Sequence, residues 1–490
     1  MSFKFGVSTS ETPTSVQPGR SAPSALPCVV GVAPWWTAEQ PLKISDALKP
    51  RSIRSFAAYQ KEFGAANQLA TSGWANFSLD SFSRCWWLYG GRGEAFIWNV
   101  LDPTLGVVSS ETIAIASGTV AYALTSAGSN PYVTSVDGSS VTYERGVDYS
   151  LAYDASGVAT ITLLSPAIKA ETSLSVSLYN TTALVVTADM ITGVLGRISE
   201  VFQTFQRAPT MLLAPYANYD ARVVAALAAA TLNAGDGRLA IAYLDVPSRD
   251  LAFDGVNITG VISSTGVLAA KPISNNRVIA VWGAGCVGPE RFDGSCVFAV
   301  ERARVDADNG FPYVSPGNRA LFITSAALET DGTETAMMVS RDQMNEDVCA
   351  NGVVGFLSTG AGWVLWGEWT TAAPATTDIK DQFHSTRAMM DYLRNDFLGA
   401  MAARISLPLN LRQVDGILKS YSDRLGFFVG TGAIASGNIS LDTEVTTTTE
   451  LLSGNLTFRL LVTPPPPIVS ITGVFEWDAE TFTAIIREAA

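Results

Sequence analysis

Charge is scarce in this chain. Asp, Glu, Lys and Arg make up 16% of its 490 residues, against roughly 25% in an ordinary soluble domain. Gly, Ala, Ser and Thr fill the gap, a composition suited to a protein that buries much of its surface against copies of itself, and equally to a large β-rich enzyme. Cations are the scarcer sign: 32 Lys and Arg face 45 Asp and Glu, for a net charge of −13. They form no run of the kind that grips a phosphate backbone, so no direct nucleic-acid binding is expected. Most of the cations are Arg, the better residue for bidentate, partly buried ion pairs at interfaces; host codon usage would give the same bias. The five cysteines (Cys28, Cys85, Cys286, Cys296, Cys349) are odd in number and far apart, and no C-x-x-C occurs. That excludes a disulfide framework and a zinc site. No apolar run reaches the length of a membrane span, and Met1–Ser8 lacks the apolar core of a leader, so folding in a cytoplasm without membrane insertion is expected.

Catalytic patterns are missing too. One histidine exists, His384, and any Ser-His-Asp or Cys-His mechanism must use it, because the base has to reach its nucleophile. It falls inside a segment of helical periodicity, Ile379–Arg387, which predicts a helical surface or interface residue. The G-x-S-x-G elbow is absent. No Gly-Lys pair occurs, which removes a Walker A loop, and Gly283-Ala284-Gly285 lacks the third glycine of a dinucleotide fingerprint. Asp102, Asp245 and Asp250 fall near predicted strand ends, where α/β enzymes place functional groups; Asp245, just before Val246-Pro247, more simply fixes a turn. The expectation is a chain that is not an enzyme and takes no cofactor or metal.

What is present is patterned. Residues 1–26 alternate briefly and then turn rich in Ser, Thr and Pro, as an extended arm does. Residues 27–105 read as the first part of a core. Pro27–Ala33 and Glu94–Val100 are strands there, Ile53–Phe63 is a helix ending at Gly64, and Ser78–Leu88 is a second helix. From 106 to 189, short alternating segments punctuated by Asp137-Gly138, Arg145-Gly146 and Ser156-Gly157 predict an inserted all-β sandwich. Residues 190–375 are α/β: continuous apolar strands at Met211–Pro215, Leu239–Val246 and Val278–Trp282 alternate with an Ala-rich helix at Ala221–Leu232, which predicts a parallel sheet covered on both faces. Residues 376–467 are α+β, with helices at Thr377–Ala403 and Leu411–Arg424 and strands at Gly437–Val445 and Asn455–Val462.

The last 140 residues carry the most information. An apolar, Gly-spaced segment, Gly362-Trp-Val-Leu-Trp-Gly-Glu-Trp-Thr-Thr371, leads into the long helix. After Pro464-Pro465-Pro466-Pro467, residues 468–490 alternate like a strand from Ile471 to Ile486, and no later segment offers them a partner. Strands left unpaired in this way are commonly completed by another molecule.

Taken in order, several segments together resemble the tail sheath proteins of contractile-tailed bacteriophages and related injection machines. They are the Ser/Pro-rich arm running into Val29-Val-Gly-Val-Ala-Pro-Trp35, the Phe56…Phe63-Gly64 helix, and Phe82…Tyr89-Gly90-Gly91…Ala95-Phe96. They continue with Pro209–Tyr216, Arg238–Pro247, Val364-Leu365-Trp366-Gly367…Thr370-Thr371 with Arg387, Gly454–Leu460 and the proline run. Order and spacing over nearly the whole chain carry the likeness. In that family the Trp-Gly segment more often reads Trp-Gly-Asn-Arg-Thr; here Glu368 and Trp369 replace the polar-basic pair.

The resemblance implies a multidomain α+β and α/β fold: a subtilisin-like core domain without a catalytic triad, an inserted β-sandwich, and extended N- and C-terminal strand arms. It implies a virion component, assembled in the host cytoplasm, whose copies stack as hexameric rings around an inner tail tube. The baseplate and tail terminator proteins are further implied partners, and contraction drives the tube through the host envelope. Phe3, Phe5 and Val7 are then expected in a donated N-terminal strand. Ile471, Val474, Phe475, Trp477 and Phe482 are expected in or beside a donated C-terminal one, received by Leu456, Phe458, Leu460 and Val462 of another subunit. Each could instead fold back on its own body. Two other readings compete: a glycan-binding adhesin using Tyr122, Tyr132, Tyr143, Tyr149 and Tyr153, and a subtilisin-like hydrolase.

Overall fold

The computed structural model describes residues 24–64, 77–154, 156–181, 186–217, 220–246, 273–330, 333–337 and 339–488. Its centre is an eight-stranded sheet. In spatial order this runs β19 (Gly362–Trp366), β18 (Val354–Thr359), β13 (Val278–Trp282), β12 (Ile241–Val246), β11 (Met211–Leu213), β1 (Pro27–Gly31), β3 (Ala95–Asn99) and β2 (Arg51–Ile53). The six inner strands are parallel and the two edge strands antiparallel. β1, β3, β12 and β13 are buried along their whole length, as parallel strands covered on both faces must be. Strands from residues 27–99 and from residues 211–366 therefore share one core.

Local signals start and stop the first helices. Ser55 Oγ accepts from Ala58 N (3.2 Å) to cap α1 (Phe56–Phe63), and Gly64 ends it at φ +75°. α2 (Ser78–Ser83) follows and continues as a wide π-type turn through Tyr89. Residues 107–180 then leave the main sheet and form two small antiparallel sheets. One is ordered β4 (Val107–Ala114), β10 (Ser173–Asn180), β6 (Tyr132–Asp137), β7 (Thr142–Tyr143). The other is ordered β5 (Ala121–Ala123), β9 (Ala159–Leu163), β8 (Tyr149–Tyr153). Alternate residues of both, among them Val136, Ile161 and Val176, close a core of their own. α3 (Ala188–Leu195), α4 (Ala221–Ala230) and α5 (Gly294–Asn309) return the chain to the central core. A third small sheet lies beside it, ordered β15 (Glu290–Asp293), β14 (Ala284–Val287), β16 (Ser325–Thr330), β17 (Thr333–Ala336).

The single long helix expected over Thr377–Ala403 is broken. One turn at Ile379–Gln382 stops at Phe383, whose backbone is extended, and α6 begins afresh at His384 and runs to Met401. Tertiary pairing causes the break. Trp369 forms an antiparallel bridge with Phe383, Thr370 N donates to Gln382 O (2.9 Å), and His384 N donates to Glu368 O (2.9 Å). The Trp-Gly segment thus runs as β19, turns at Gly367 (φ +115°) and then grips the start of α6. α7 (Leu411–Gly430) packs back on α6, and with β20 (Ser436–Leu441) and β21 (Phe458–Thr463) the pair forms a separate core around Tyr392, Tyr421, Leu425 and Phe428.

A buried ionic joint ties this C-terminal unit to the sheet. Arg277, at the head of β13, makes a bidentate pair with Asp391 of α6 (2.8 and 3.0 Å). Asp391 also accepts from Arg387 (2.6 Å), which reaches on to Asp381 (2.9 Å). Arg277, Arg387 and Asp391 are all buried. Removing one partner of such a group strands a desolvated charge. Asp391→Ala is accordingly expected to lower stability by about 3–5 kcal/mol in urea unfolding, whereas Arg197→Ala, in an exposed pair with Glu200, should cost under about 1 kcal/mol.

Candidate assembly interface

The sheet expected to receive an arm consists of β20 and β21, paired antiparallel from Ser436↔Thr463 to Leu441↔Phe458. Along β21 the side chains alternate. Phe458, Leu460 and Val462 turn inward against the α6–α7 core, while Arg459, Leu461 and Thr463 face outward. Leu456 lies two residues before the strand and is half-buried. Three of the four expected receiving residues thus anchor the sheet to its own helices. Among the described residues β21 pairs only with β20, so its other edge is open, and Leu461 lies exposed on the outer face.

Next come Pro464–Pro467. Proline has no N–H to give a ladder and fixes φ near −65°, so a run of four favours a stiff, straight polyproline stretch of about 12 Å. It cannot make the reversal that folding back on β21 requires. Pro464 is buried. Pro465–Ser470 border a cleft of about 860 Å3 that is also lined by Tyr313, Trp366 and Trp369.

Beyond the prolines the chain carries apolar side chains into solvent. Ile471 and Val474 are exposed, Phe475 is 99% exposed and Trp477 73%. Neither aromatic packs on its own β21. Residues 468–478 hold no strand pairing among the described residues, and Ala479–Glu488 form a helix, α9 when α8 denotes Thr448–Leu452. The expected continuation of a strand to Ile486 is corrected: Phe482, Ile485 and Ile486 stand at helical spacing. Asp478 Oδ1 accepts from Glu480 N and Thr481 N (both 3.0 Å), which starts the helix. Phe482 therefore lies on a helix, its ring 5.7 Å from that of Trp477. Phe3, Phe5 and Val7 lie outside the described residues.

The residues weighed for catalysis are dispersed. His384 is not at a helical surface. It is the first residue of α6 and fully buried, with Nε2 3.2 Å from Tyr243 Oη and its ring edge-on to Phe298. Burial, with Arg302 nearby, holds it well below the ordinary histidine value and so neutral. Asp245 is also buried, but its partner is Ser295, which donates its N–H (2.6 Å) and its Oγ (2.7 Å) and so fixes the first turn of α5. Asp102 caps a short turn through Thr104 N (2.9 Å). Asp250 lies outside the described residues. No disulfide joins the five cysteines, all of which are buried, and burial pushes the Cys28, Cys85, Cys296 and Cys349 thiols up, away from reactive thiolate. Among the described residues no group of His, Cys, Asp and Glu is placed to hold a metal, and no helix is long and apolar enough to cross a membrane.

Glu368 has a part that its sequence position did not announce. Its carboxylate accepts from Ser385 N (2.8 Å) at the N-terminus of α6 and from Ser315 Oγ (2.5 Å), an anion set against a helix's positive end. The nearest sequence signal was the departure from the family's Trp-Gly pattern at that position.

The five tyrosines do not make a sugar platform. Tyr143 and Tyr149 are buried. Tyr153 Oη donates to Pro131 O (2.8 Å) and Tyr122 Oη to Thr119 O (3.2 Å), while Tyr132 packs against Trp35, Trp36 and Tyr179.

No family model and no curated sequence matches the chain. Solved structures do. The sheath complex of an extracellular contractile injection system (PVC) in its contracted state matches over 98% of this chain and 99% of its own, with a TM-score of 0.58 at 14% identity. The contracted helical sheath of the anti-feeding prophage matches over 98% and 100%, with a TM-score of 0.56 at 15% identity. A sheath tail protein from Desulfitobacterium hafniense matches over 90% and 94%, with a TM-score of 0.52 at 10% identity. The fold is that of a contractile sheath protein.

Burial of neutral His384 has a thermodynamic consequence. The unfolded chain takes up its proton near pH 6.5 and the folded chain does not, so stability is lost as pH falls below that value. Glu368 is shifted up by burial, and its contribution fades in the opposite direction, as pH rises. Comparing wild type with His384→Gln isolates the first effect. The stability difference between them is expected to move against the wild type by about 1.4 kcal/mol per unit as pH falls from roughly 6 to 5. Urea unfolding at each pH measures it.

Proposed function

We propose that the chain is the structural subunit of a contractile tail sheath. Copies self-associate as stacked hexameric rings around an inner tail tube, and contraction, triggered from a baseplate, drives that tube through the host cell envelope for genome delivery. One observation carries the reading: on a body with the sheath-protein fold, an apolar tail is launched over a rigid proline run and finds no partner among the described residues. In this reading Ile471–Trp477 add a strand to the β21 edge of a neighbour, with main-chain hydrogen bonds giving affinity and alternate apolar side chains giving register. The N-terminal arm makes a second such connection. The eight-stranded sheet serves as the subtilisin-like core layer, and residues 107–180 as an inserted sandwich. The subunit does no chemistry and takes no cofactor. Its assembly belongs in the host cytoplasm and its place in the virion tail.

Magnitudes favour a lattice over isolated pairs. Ordering seven tail residues costs about 7–14 kcal/mol, and burying four large apolar side chains returns about 6–12 kcal/mol. With a net gain of about 0.5–1.5 kcal/mol for each ladder hydrogen bond, one arm holds only modestly. Many arms joined to rigid bodies hold firmly, because each contact raises the effective concentration of the next.

The adhesin reading loses its tyrosine platform, and the hydrolase reading loses its histidine to the core. Electron microscopy of the purified chain tests the proposal. Long hollow tubes are expected from the full chain, and folded monomers with an unchanged melting temperature from a version ending at Pro467. Tubes of normal appearance from the truncated version would refute the arm's role. A full chain that stays monomeric under all assembly conditions would refute the sheath reading.

A further inference from the structure

The helix at the end of the tail is unexplained by strand addition, since Phe482, Ile485 and Ile486 point their apolar stripe at solvent after the strand has ended. A second exposed apolar element lies elsewhere in the C-terminal unit. The loop between α6 and α7 reads Ile405-Ser-Leu-Pro-Leu-Asn-Leu411, and its apolar residues are exposed, Ile405 by 74% and Leu411 by 76%. Two exposed apolar elements on one chain are each other's natural cover if a second copy brings them together.

Charge points the same way. In a chain of net charge −13, the stretch 394–419 is basic. It carries Arg394, Arg404, Arg412 and Lys419 against Asp396, which is already paired with Arg424, and Asp415. The tail from 476 to 488 is acidic, with Glu476, Asp478, Glu480 and Glu488 against Arg487. Like sign at either element would repel; opposite sign steers and registers the contact.

Topology brings the two to the same place. The chain reverses after α7, and β20 runs back along that helix, with Gly437 packed on Leu425. Four residues of strand from Gly437 to Leu441 advance about 13 Å, the length of about nine helical residues, which reaches the first turns of α7. An arm pairing antiparallel to β21, the commoner and slightly stronger arrangement, finishes its strand beside Phe458. It then delivers its helix at the loop Ile405–Leu411.

Resting on the sheath reading, we propose that the tail helix of one subunit docks as a helix on the apolar loop Ile405–Leu411 of a second copy, between its flanking Arg404 and Arg412. Phe482, Ile485 and Ile486 cover Ile405 and Leu411 while Glu476 and Glu480 face Arg404 and Arg412. The strand sets register, and the helix locks the end of the arm.

Charge exchange tests this. Arg404→Glu with Arg412→Glu, and separately Glu476→Arg with Glu480→Arg, are each expected to reduce the polymer that sediments by at least about tenfold, the loss of roughly one charge pair's free energy. The four changes combined should restore it to within about twofold. Normal polymer from both double variants overturns the proposal and leaves the apolar loop to a partner other than this chain. So does a combined variant no better than its parents when all three melt like the wild type. If the wild type itself never polymerises, the sheath reading fails first. Cysteine pairing needs no charge reversal and covers the case of a misfolded variant. The five native thiols are buried, so a subunit with Leu411→Cys mixed with one carrying Ile485→Cys should give a disulfide-linked dimer on mild oxidation, and absence of that dimer in assembled polymer contradicts the docking.

Discussion

The bidentate contact between Arg277 and Asp391 holds two bodies together. On one side stands the eight-stranded sheet, whose strand β13 begins next to Arg277; on the other stands α6, from which the whole C-terminal unit is built. Around it the Trp-Gly segment bridges to Phe383, Glu368 receives the first N–H groups of α6, and Arg387 extends the ion pair to Asp381. Arg277, Asp391, Arg387 and Glu368 are buried, with Asp381 and Trp369 half-buried beside them, and each depends on the next, so the joint is costly to loosen at its centre. Load applied to the β20–β21 sheet therefore reaches the central sheet through packed helix and buried salt bridges, with no flexible linker between. Glu368 and Trp369, which depart from the more usual Trp-Gly pattern, lie inside this joint, and the anion at the start of α6 accounts for the first of them. For the identity of Trp369 the structure gives no comparable reason.

Proline decides where the tail goes. Pro464–Pro467 follow directly on β21, remove four donors from any continuing ladder and keep the chain straight through the stretch where a hairpin would have to turn. Trp366 and Trp369 line the same cleft as Pro465–Pro467. An apolar segment carrying Phe475 and Trp477 is held off its own body by backbone stiffness, and an exposed patch of that kind is ordinarily an interface. Stiffness in the strap and rigidity in the joint belong together, because an arm transmits movement only when both of its ends are anchored.

Much of the central sheet could be read from residues alone. Val278–Trp282 is a continuous apolar run and became β13 without change of boundary, and Gly64 ends α1 as expected, although the helix starts after Ser55 and not at Ile53, which lies in β2. The readings that failed did so where distant segments intervene. Helical periodicity runs on through Phe383, and only the bridge to Trp369 stops the helix there. His384 has the spacing of a surface residue, and that same bridge turns it into the core. In the tail the alternation from Ile471 to Trp477 hid a change of period: Phe482, Ile485 and Ile486 already announced a helix, with Asp478 as its cap. Of the candidate assembly site, the proline run and the apolar tail were legible, whereas the inward turn of Phe458, Leu460 and Val462 onto their own helices was not. The apolar loop Ile405–Leu411, flanked by Arg404 and Arg412, was not, because its exposure cannot be read until the fold is known.

A residue-resolution structure of the assembled polymer tests the central claim most directly. The account predicts residues 471–477 of one subunit hydrogen-bonded to the β21 edge of another, with Phe475 and Trp477 buried in the contact. A polymer in which those residues pack on their own subunit, or remain in solvent while subunits join through other surfaces, would contradict it.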